Sequence, residues 1–360
     1  MNRKIKIAIA GLGNCASSIL QGIEFYKNAS DDVEIPGLMH TRFGPYHISD
    51  IEIVAAFDVN TNKIGKDVAD AIFEKPNCAV KFSDVPKTGV IVQPGPISDG
   101  VALHMKESFF CYDENELKPV DLVQVLKETG TQILVNFIPV GSDKATSLYA
   151  QACLDAGVAF ANGIPSFIVS DETWGKKFEN AGIPCAGDDI KSQLGATILH
   201  RVLMQLMRDR GIHVKETYQL NVGGNTDFEN MKQEGRLTTK RISKTQAVTS
   251  VLPYDVPTRI GPSDYVPFLM DEKVCYLHAI GHNFGEQPVH VNLKLSVQDS
   301  PNSAGVMIDV IRALAIAQDR KISGPLLSMS AYAFKHPPVQ VPDFEGKERV
   351  ESYIRGEIER

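Results

Sequence analysis

The chain opens with a short apolar run, residues 5–10 (IKIAIA), that stops at a Gly-Leu-Gly turn, and residues 14–25 then carry a helical pattern. A second apolar run, residues 51–58, ends in Asp58. Further runs of β-forming residues fall at 89–92, 132–138 and 158–161, with helical stretches between them at 60–73, 119–129 and 143–156. Strands alternating with helices predict a doubly wound parallel sheet. After Gly187 the pattern changes. Residues 191–210 read as one long helix, with Leu199, Val202, Leu203 and Leu206 on one face. Strands follow at 214–222 and 274–280. Val289, Val291, Leu293, Leu295 and Val297 then alternate with polar residues, the mark of a strand with one wet face. An antiparallel sheet fits this region better than further βαβ units. Residues 303–319 return to helix, and the charged tail 345–360 reads as a surface helix.

Composition narrows the class. With 43 % hydrophobic and 22 % charged residues in 360, the chain is an ordinary globular protein of two domains or of one domain carrying a large insertion. A net charge of −7 argues against general binding to nucleic acid or to an anionic membrane. No apolar run approaches the ~20 residues that cross a bilayer. The basic N-terminus leads straight into a strand without a signal-peptide core. Six scattered cysteines without a Cys-x-x-Cys pair suit a reducing cytoplasm rather than a disulfide framework or a zinc site.

Gly11-Leu12-Gly13-Asn14-Cys15-Ala16 matches the dinucleotide fingerprint between a strand and a helix. Gly11 permits the turn, Gly13 lets the backbone approach a pyrophosphate, and the small Ala16 allows close packing. Asp58 stands where an acid binds ribose hydroxyls and disfavours a 2′-phosphate, so NAD is expected over NADP. The gap from turn to acid is about twice the usual ~20 residues, which makes residues 28–50 an inserted loop.

Other residues are suggestive by grouping. Asp188 and Asp189 precede Lys191, Ser192 and Gln193 at an expected helix start, a place that caps with Asp and binds anions. Asn225 and Asp227 follow adjacent glycines at a strand end, as in a loop approaching a ligand or a plain turn. Residues 236–244 (RLTTKRISK) form a basic run in an acidic protein. Lys273, Lys335 and Asp299 carry no signal alone, and Asp299 could cap the helix near 303. No histidine set with metal-ligand spacing occurs.

Together GLGNCASS (11–18), PGLMHTRFGPYH (36–47), GDDIKSQ (187–193), LNVGGNTDF (220–228), ISKTQAVTS (242–250), IGPSD (260–264) and QDSPNSAG (298–305) resemble the myo-inositol-1-phosphate synthase family, in its shorter bacterial and archaeal branch. The resemblance covers nearly the whole chain. It implies a Rossmann-type NAD domain, residues 1–190 completed by 300–360, around an α+β catalytic and tetramerisation domain, residues 191–299. It implies conversion of glucose 6-phosphate to 1L-myo-inositol 1-phosphate by oxidation at carbon 5, enolisation, ring closure and re-reduction, with no net redox change. On that pattern Lys240, Lys244, Lys273, Lys335, Asp189 and Asp299 are catalytic, with Lys244 or Lys273 moving the proton. Gly11, Gly13, Asn14, Cys15, Ala16, Asp58, Asn136 and Asp188 lie at the cofactor. Ser192, Gln193, Leu194, Asn225 and Asp227 meet substrate. Eukaryotic members read Ser-Gly-Gln-Thr where this chain reads Ser-Gln-Leu-Gly, which weakens Gln193 as a side-chain donor. Members of the family differ in using a divalent ion, a monovalent cation or ammonium, and no ligand set here decides between them.

Overall fold

The computed structural model describes residues 4–105, 109–232 and 238–360, apart from the side chains of residues 103, 238–241 and 262. Strands β1 (Ile5–Ala10), β2 (Arg42–Phe43), β3 (Tyr46–His47), β4 (Ile51–Asp58), β5 (Gln93–Pro94), β6 (Ile133–Asn136), β7 (Ala159–Asn162) and β8 (Pro184–Ala186) come first, and β13 (Gly324–Pro325) comes last. All but the β2–β3 hairpin join one parallel sheet of seven strands, ordered β13-β8-β7-β6-β1-β4-β5. Its central strands are apolar in continuous runs because both faces are covered. Ile5, Ile7 and Ile9 pack on one side, against α1 (Asn14–Tyr26) and α9 (Asp299–Asp319). Ala8 and Ala10 pack on the other, against α3 (Leu122–Glu128), α4 (Asp143–Ala156) and α5 (Glu172–Asn180).

The second sheet is mixed, ordered β10-β9-β11-β12. It comprises β9 (His213–Gly223), β10 (Thr258–Tyr265), β11 (Glu272–His282) and β12 (Pro288–Gln298). Its β9, β11 and β12 pair antiparallel, while β10 runs parallel to β9. Helices α6 (Ala196–Asp209) and α8 (Thr238–Thr249) cover one face through Leu203, Met204, Met207 and Val248. In β12 the odd-numbered residues are half-buried and the even ones exposed, as the alternation predicts for an edge strand.

Four expectations need correcting. The helix expected at 60–73 shrinks to α2 (Val68–Ala71), because Gly65 takes φ +83° and Asp67 caps a fresh start by accepting from the Ala69 amide. The run 89–92 is not a strand; sheet pairing begins one residue later at Gln93. Helix α6 begins at Ala196 rather than 191, so Asp188 and Asp189 lie before an extended segment and not at a helix start. Helix α9 starts at Asp299 itself, which is therefore its first residue and not a cap near 303. Helices α7 (Thr226–Asn230), α10 (Leu327–Ala333) and α11 (Asp343–Arg355) complete the chain.

The inserted loop is fastened to α9. The buried Arg312 guanidinium donates to the carbonyls of His40 and Thr41, both at 2.9 Å, and pairs with Asp309. Asp309 in turn accepts from the Met39 amide at 2.8 Å. Gly37 then sits so near Gln193 that a Cβ there would come within 2.6 Å of the glutamine amide.

Candidate active site

The carboxyl ends of β1, β4 and β6 open into a cleft at the point where strand order reverses, the usual ligand position in a doubly wound sheet. The cleft holds about 1520 Å³ of open space including its mouth. Gly11, Gly13, Asn14, Cys15 and Asp58 line one end, and Asp189, Ser192, Asn225, Asp227, Lys244, Lys273, Asp299 and Lys335 the other.

The first end fits a dinucleotide. Gly11 has φ +86° and a Cβ there would strike the Phe137 carbonyl oxygen at 2.7 Å. Among the described residues, a Cβ on Gly13 would meet nothing within 4 Å, and α1 starts there with no side-chain cap bond, which leaves room at its first amides. That is what a pyrophosphate needs. Gly11→Ala should therefore weaken NAD⁺ binding roughly tenfold or more, since 1.4 kcal/mol of strain already gives tenfold; an unchanged Kd by fluorescence titration would remove Gly11 from the cofactor site.

Asp58 is held for its role by three amides. Its Oδ2 accepts from Leu12 at 2.8 Å, and its Oδ1 from Val59 and Asn60 at 2.8 and 2.9 Å. Sequence reasoning missed the buried Lys63 beside it, which donates to the Leu12 carbonyl at 2.8 Å and to Asn77 Oδ1 at 2.9 Å. Asn14 faces the cleft, but its Oδ1 is taken by the amides of Cys78 and Ala79, so it fastens residues 78 and 79. Burial, with the charges of Asp299, Asp271 and Asp227, pushes the Cys15 thiol up to about 12. Those carboxylates bring the start of α1 against the lysine end of the cleft.

Five expected contacts do not line the cleft. Ala16 is fully buried packing. Asp188 is also fully buried, and its carboxylate accepts from the amides of Ile168, Val169 and Ser170, from Ser170 Oγ and from Asn162. Burial raises its pKa to about 6 against those bonds. Asn136 donates to Asn162 Oδ1 at 2.9 Å in the same network, behind the cleft. The Gln193 and Leu194 amides are spent on Asn302, at 2.8 and 3.1 Å, and the Leu194 side chain is exposed. Lys240 lies in α8, but its side chain is outside the described residues.

At the lysine end the chain crosses itself. Residues 188–190 pair with 334–336: the Lys335 amide donates to the Asp189 carbonyl at 2.7 Å, and His336 to the Asp188 carbonyl at 3.0 Å. Lys335 Nζ reaches Asp189 Oδ1 and the Ile190 carbonyl, both at 2.7 Å. Asp189 Oδ2 accepts from Ser243 Oγ at 2.6 Å, so this carboxylate joins Lys335 to the helix that carries Lys244. Asp189 takes φ +63°, a left-handed conformation that a non-glycine residue keeps only where its surroundings enforce it. Lys273 Nζ donates to Asp299 Oδ1 at 3.1 Å. Burial opposes its charge, but Asp299 and Asp227 outweigh burial and hold its pKa above the ordinary value.

Asp271, another residue with no sequence signal, organises this end. Its buried carboxylate accepts from Asn225 Nδ2 at 3.1 Å, Ser300 Oγ at 2.8 Å and the Ser300 amide at 3.1 Å. It thereby ties the loop after β9 to the start of α9. Lys191 also differs from expectation. It turns away from the cleft and pairs with Asp343 at 3.0 Å, fully inside the protein. Among the described residues, no group of three His, Cys, Asp or Glu side chains could hold a metal ion.

Comparison with known proteins agrees with this geometry. A sequence profile of the myo-inositol-1-phosphate synthase family matches residues 195–300. The inositol-3-phosphate synthase of Mycobacterium tuberculosis is 52 % identical over 356 residues, 98 % of this chain and 96 % of that protein. That of Corynebacterium glutamicum is 51 % identical over 358 residues, 97 % of this chain and 98 % of that protein. A crystal structure of a myo-inositol-1-phosphate synthase-related protein from Thermotoga maritima superposes with a TM-score of 0.82, at 24 % identity and 98 % coverage of both chains, which shows a shared fold. With half its residues shared over almost the full length of such synthases, the chain belongs to the myo-inositol-1-phosphate synthase family.

Proposed function

We propose that this protein is an inositol-3-phosphate synthase that converts D-glucose 6-phosphate to 1L-myo-inositol 1-phosphate. The observation that carries the reading is one cleft with a dinucleotide turn at one end and Lys244, Lys273 and Lys335 at the other. Ordinary alcohol oxidation needs one acid–base group. Three ammonium groups suit a substrate that carries a phosphate dianion and passes through an enolate and an alkoxide.

NAD, when bound, supplies reversible hydride transfer at carbon 5. The remaining chemistry falls to the chain. The N-terminus of α6 with Ser192 holds the phosphate, since Gly195 opens the helix with no side-chain cap bond. Lys273 and Lys335 are paired with Asp299 and Asp189, so they stay charged and stabilise developing oxyanions. Lys244, 8 % exposed on α8, takes the proton from carbon 6. Asn225 and Asp227 hold sugar hydroxyls.

Residues 191–299 form the catalytic and oligomerisation unit of a homotetramer in this reading, and the cytosol is its compartment. Tyr218 and Tyr276 are exposed on the uncovered face of the mixed sheet, and Leu194, Val202 and Leu206 are exposed along α6 and the segment before it, as buried subunit contacts require. No helix among the described residues is long and apolar enough to cross a membrane.

The test is incubation with glucose 6-phosphate and catalytic NAD⁺, with products followed by phosphorus NMR and NADH by absorbance. Inositol phosphate without lasting NADH is the expected result. NADH accumulating with an oxidised sugar would make the protein an ordinary dehydrogenase. Neither product from NAD-loaded protein would make it a non-catalytic binder or assign it another substrate.

A further inference from the structure

Three alternate residues on the covered face of β9, Thr217, Gln219 and Asn221, are each at least nine-tenths buried and face His200 of α6, itself fully buried. His200 Nε2 lies 2.8 Å from Thr217 Oγ1, and Thr217 Oγ1 donates to the His278 carbonyl at 2.7 Å. His200 Nδ1 lies 3.3 Å from one end of the Gln219 amide, whose other end lies 3.0 Å from the Asn221 amide. Among the described residues, the remaining amide atom of Asn221 is buried without a partner. Asn221 lines a small cavity that adjoins the cleft and shares Ser192, Lys244, Lys273 and Lys335 with it.

The direction of this chain of bonds follows from proton counting. Thr217 has one hydroxyl proton and gives it to His278, so its oxygen accepts from His200 Nε2–H. Burial lowers the His200 pKa to about 4, so the ring is neutral and Nδ1 carries a bare lone pair. With Gln219 Oε1 towards Nδ1, two acceptors would oppose each other. Amide oxygen and nitrogen are nearly isosteric, and the bonding pattern decides which end is which. Gln219 must turn its NH₂ to Nδ1 and its carbonyl to Asn221. Asn221 then donates its NH₂ to Gln219, and its unpartnered atom is the carbonyl oxygen.

We propose that His200 is a positioning residue whose tautomer, passed through Gln219, makes Asn221 present a carbonyl acceptor at the lysine end, where it accepts a hydrogen bond from a hydroxyl of the sugar phosphate. This rests on the sugar phosphate site proposed above. An acceptor in a site otherwise rich in donors repels phosphate oxygens and attracts hydroxyls, so it sets which end of the substrate enters.

The tautomer is measured on wild-type protein carrying isotope-labelled histidine, by long-range proton–nitrogen NMR. His200 is assigned by the signal missing from His200→Gln, or by the signal shifted in Gln219→Leu should that variant not fold. A proton on Nε2 and none on Nδ1 is expected; a proton on Nδ1 overturns the relay. In kinetics, Asn221→Leu should raise KM for glucose 6-phosphate roughly tenfold, as loss of one buried hydrogen bond predicts, with a smaller change in kcat. Gln219→Glu offers only acceptors to Asn221 and so keeps its carbonyl outward, and KM should stay near wild type. If Asn221 were merely structural, the buried charge of Gln219→Glu would do the greater harm, and that ranking overturns the proposal. Wild-type protein that fails to turn over glucose 6-phosphate sinks the proposed function instead, and the tautomer still decides the relay.

Discussion

Lys244→Ala should lower kcat by ~10²–10⁴-fold, the range a positioned acid–base group contributes, while NAD⁺ affinity stays close to wild type. The two effects separate because Lys244 belongs with Lys273 and Lys335 in the cleft and not to the Gly11 turn. Lys273 and Lys335 cannot substitute. Each is tied to a carboxylate, at 3.1 and 2.7 Å, and giving up positive charge there would leave Asp299 or Asp189 unpaired in a poorly solvated site. Lys244→Arg sharpens the result. Arginine keeps the charge but cannot be deprotonated in a protein, so it should leave the enzyme nearly as slow as alanine does. Recovery to within a few-fold of wild type in Lys244→Arg would make Lys244 an oxyanion stabiliser and move the proton transfer elsewhere. Turnover surviving in Lys244→Ala would take Lys244 out of the site.

The parallel sheet and its glycine turn were legible in the sequence because they rest on local, short-range signals. An apolar strand, a turn that only glycine can make and a following helix occupy consecutive residues, and Asp58 closes the next strand in register beside them. The lysines were legible only through family motifs. Alone, Lys273 and Lys335 look like surface residues, because what gives them a role is contact with Asp299 and Asp189, 26 and 146 positions away. Asp188 misled for the same reason in reverse. Adjacent to Asp189 and of identical chemistry, it points the other way, into the amides of 168–170. The left-handed backbone at Asp189 turns the two side chains apart, and no pattern within 187–193 says which of the two aspartates meets the cleft. The missed residues, Lys63, Ser243 and Asp271, share a type. Each is a buried polar group that satisfies another residue's hydrogen bonds, and burial of a single polar side chain leaves no periodic mark.

Arg201→Ala should destabilise the fold by about 3–5 kcal/mol, the cost of removing one partner from a buried ion pair. Arg201 is 1 % exposed in the middle of α6. Its Nε donates to Asp343 at 2.8 Å, its Nη2 to the Val341 carbonyl at 2.7 Å, and its Nη1 to the Ala247 carbonyl and to Ser250 Oγ. One side chain thus joins the second sheet's helix, the end of α8 and the start of α11, with Lys244 one turn before Ala247. Alanine would leave Asp343 with Lys191 alone, take the Arg201 donor from the Val341 carbonyl and leave the Ala247 carbonyl to Ser250 Oγ. Urea denaturation followed by circular dichroism measures the loss, and a change under 1 kcal/mol would mean that solvent or Lys191 takes over. The pH dependence gives an independent check. Burial raises the Asp343 pKa, but Lys191 and Arg201 outweigh it and hold the carboxyl below its ordinary value. A carboxyl depressed by folding contributes stability above its unfolded pKa and loses it as pH falls through its folded pKa. Without Arg201 that folded pKa rises, so acid unfolding of the variant should begin at a higher pH than in wild type. An acid limb that does not move would show that Lys191 alone sets the charge of Asp343.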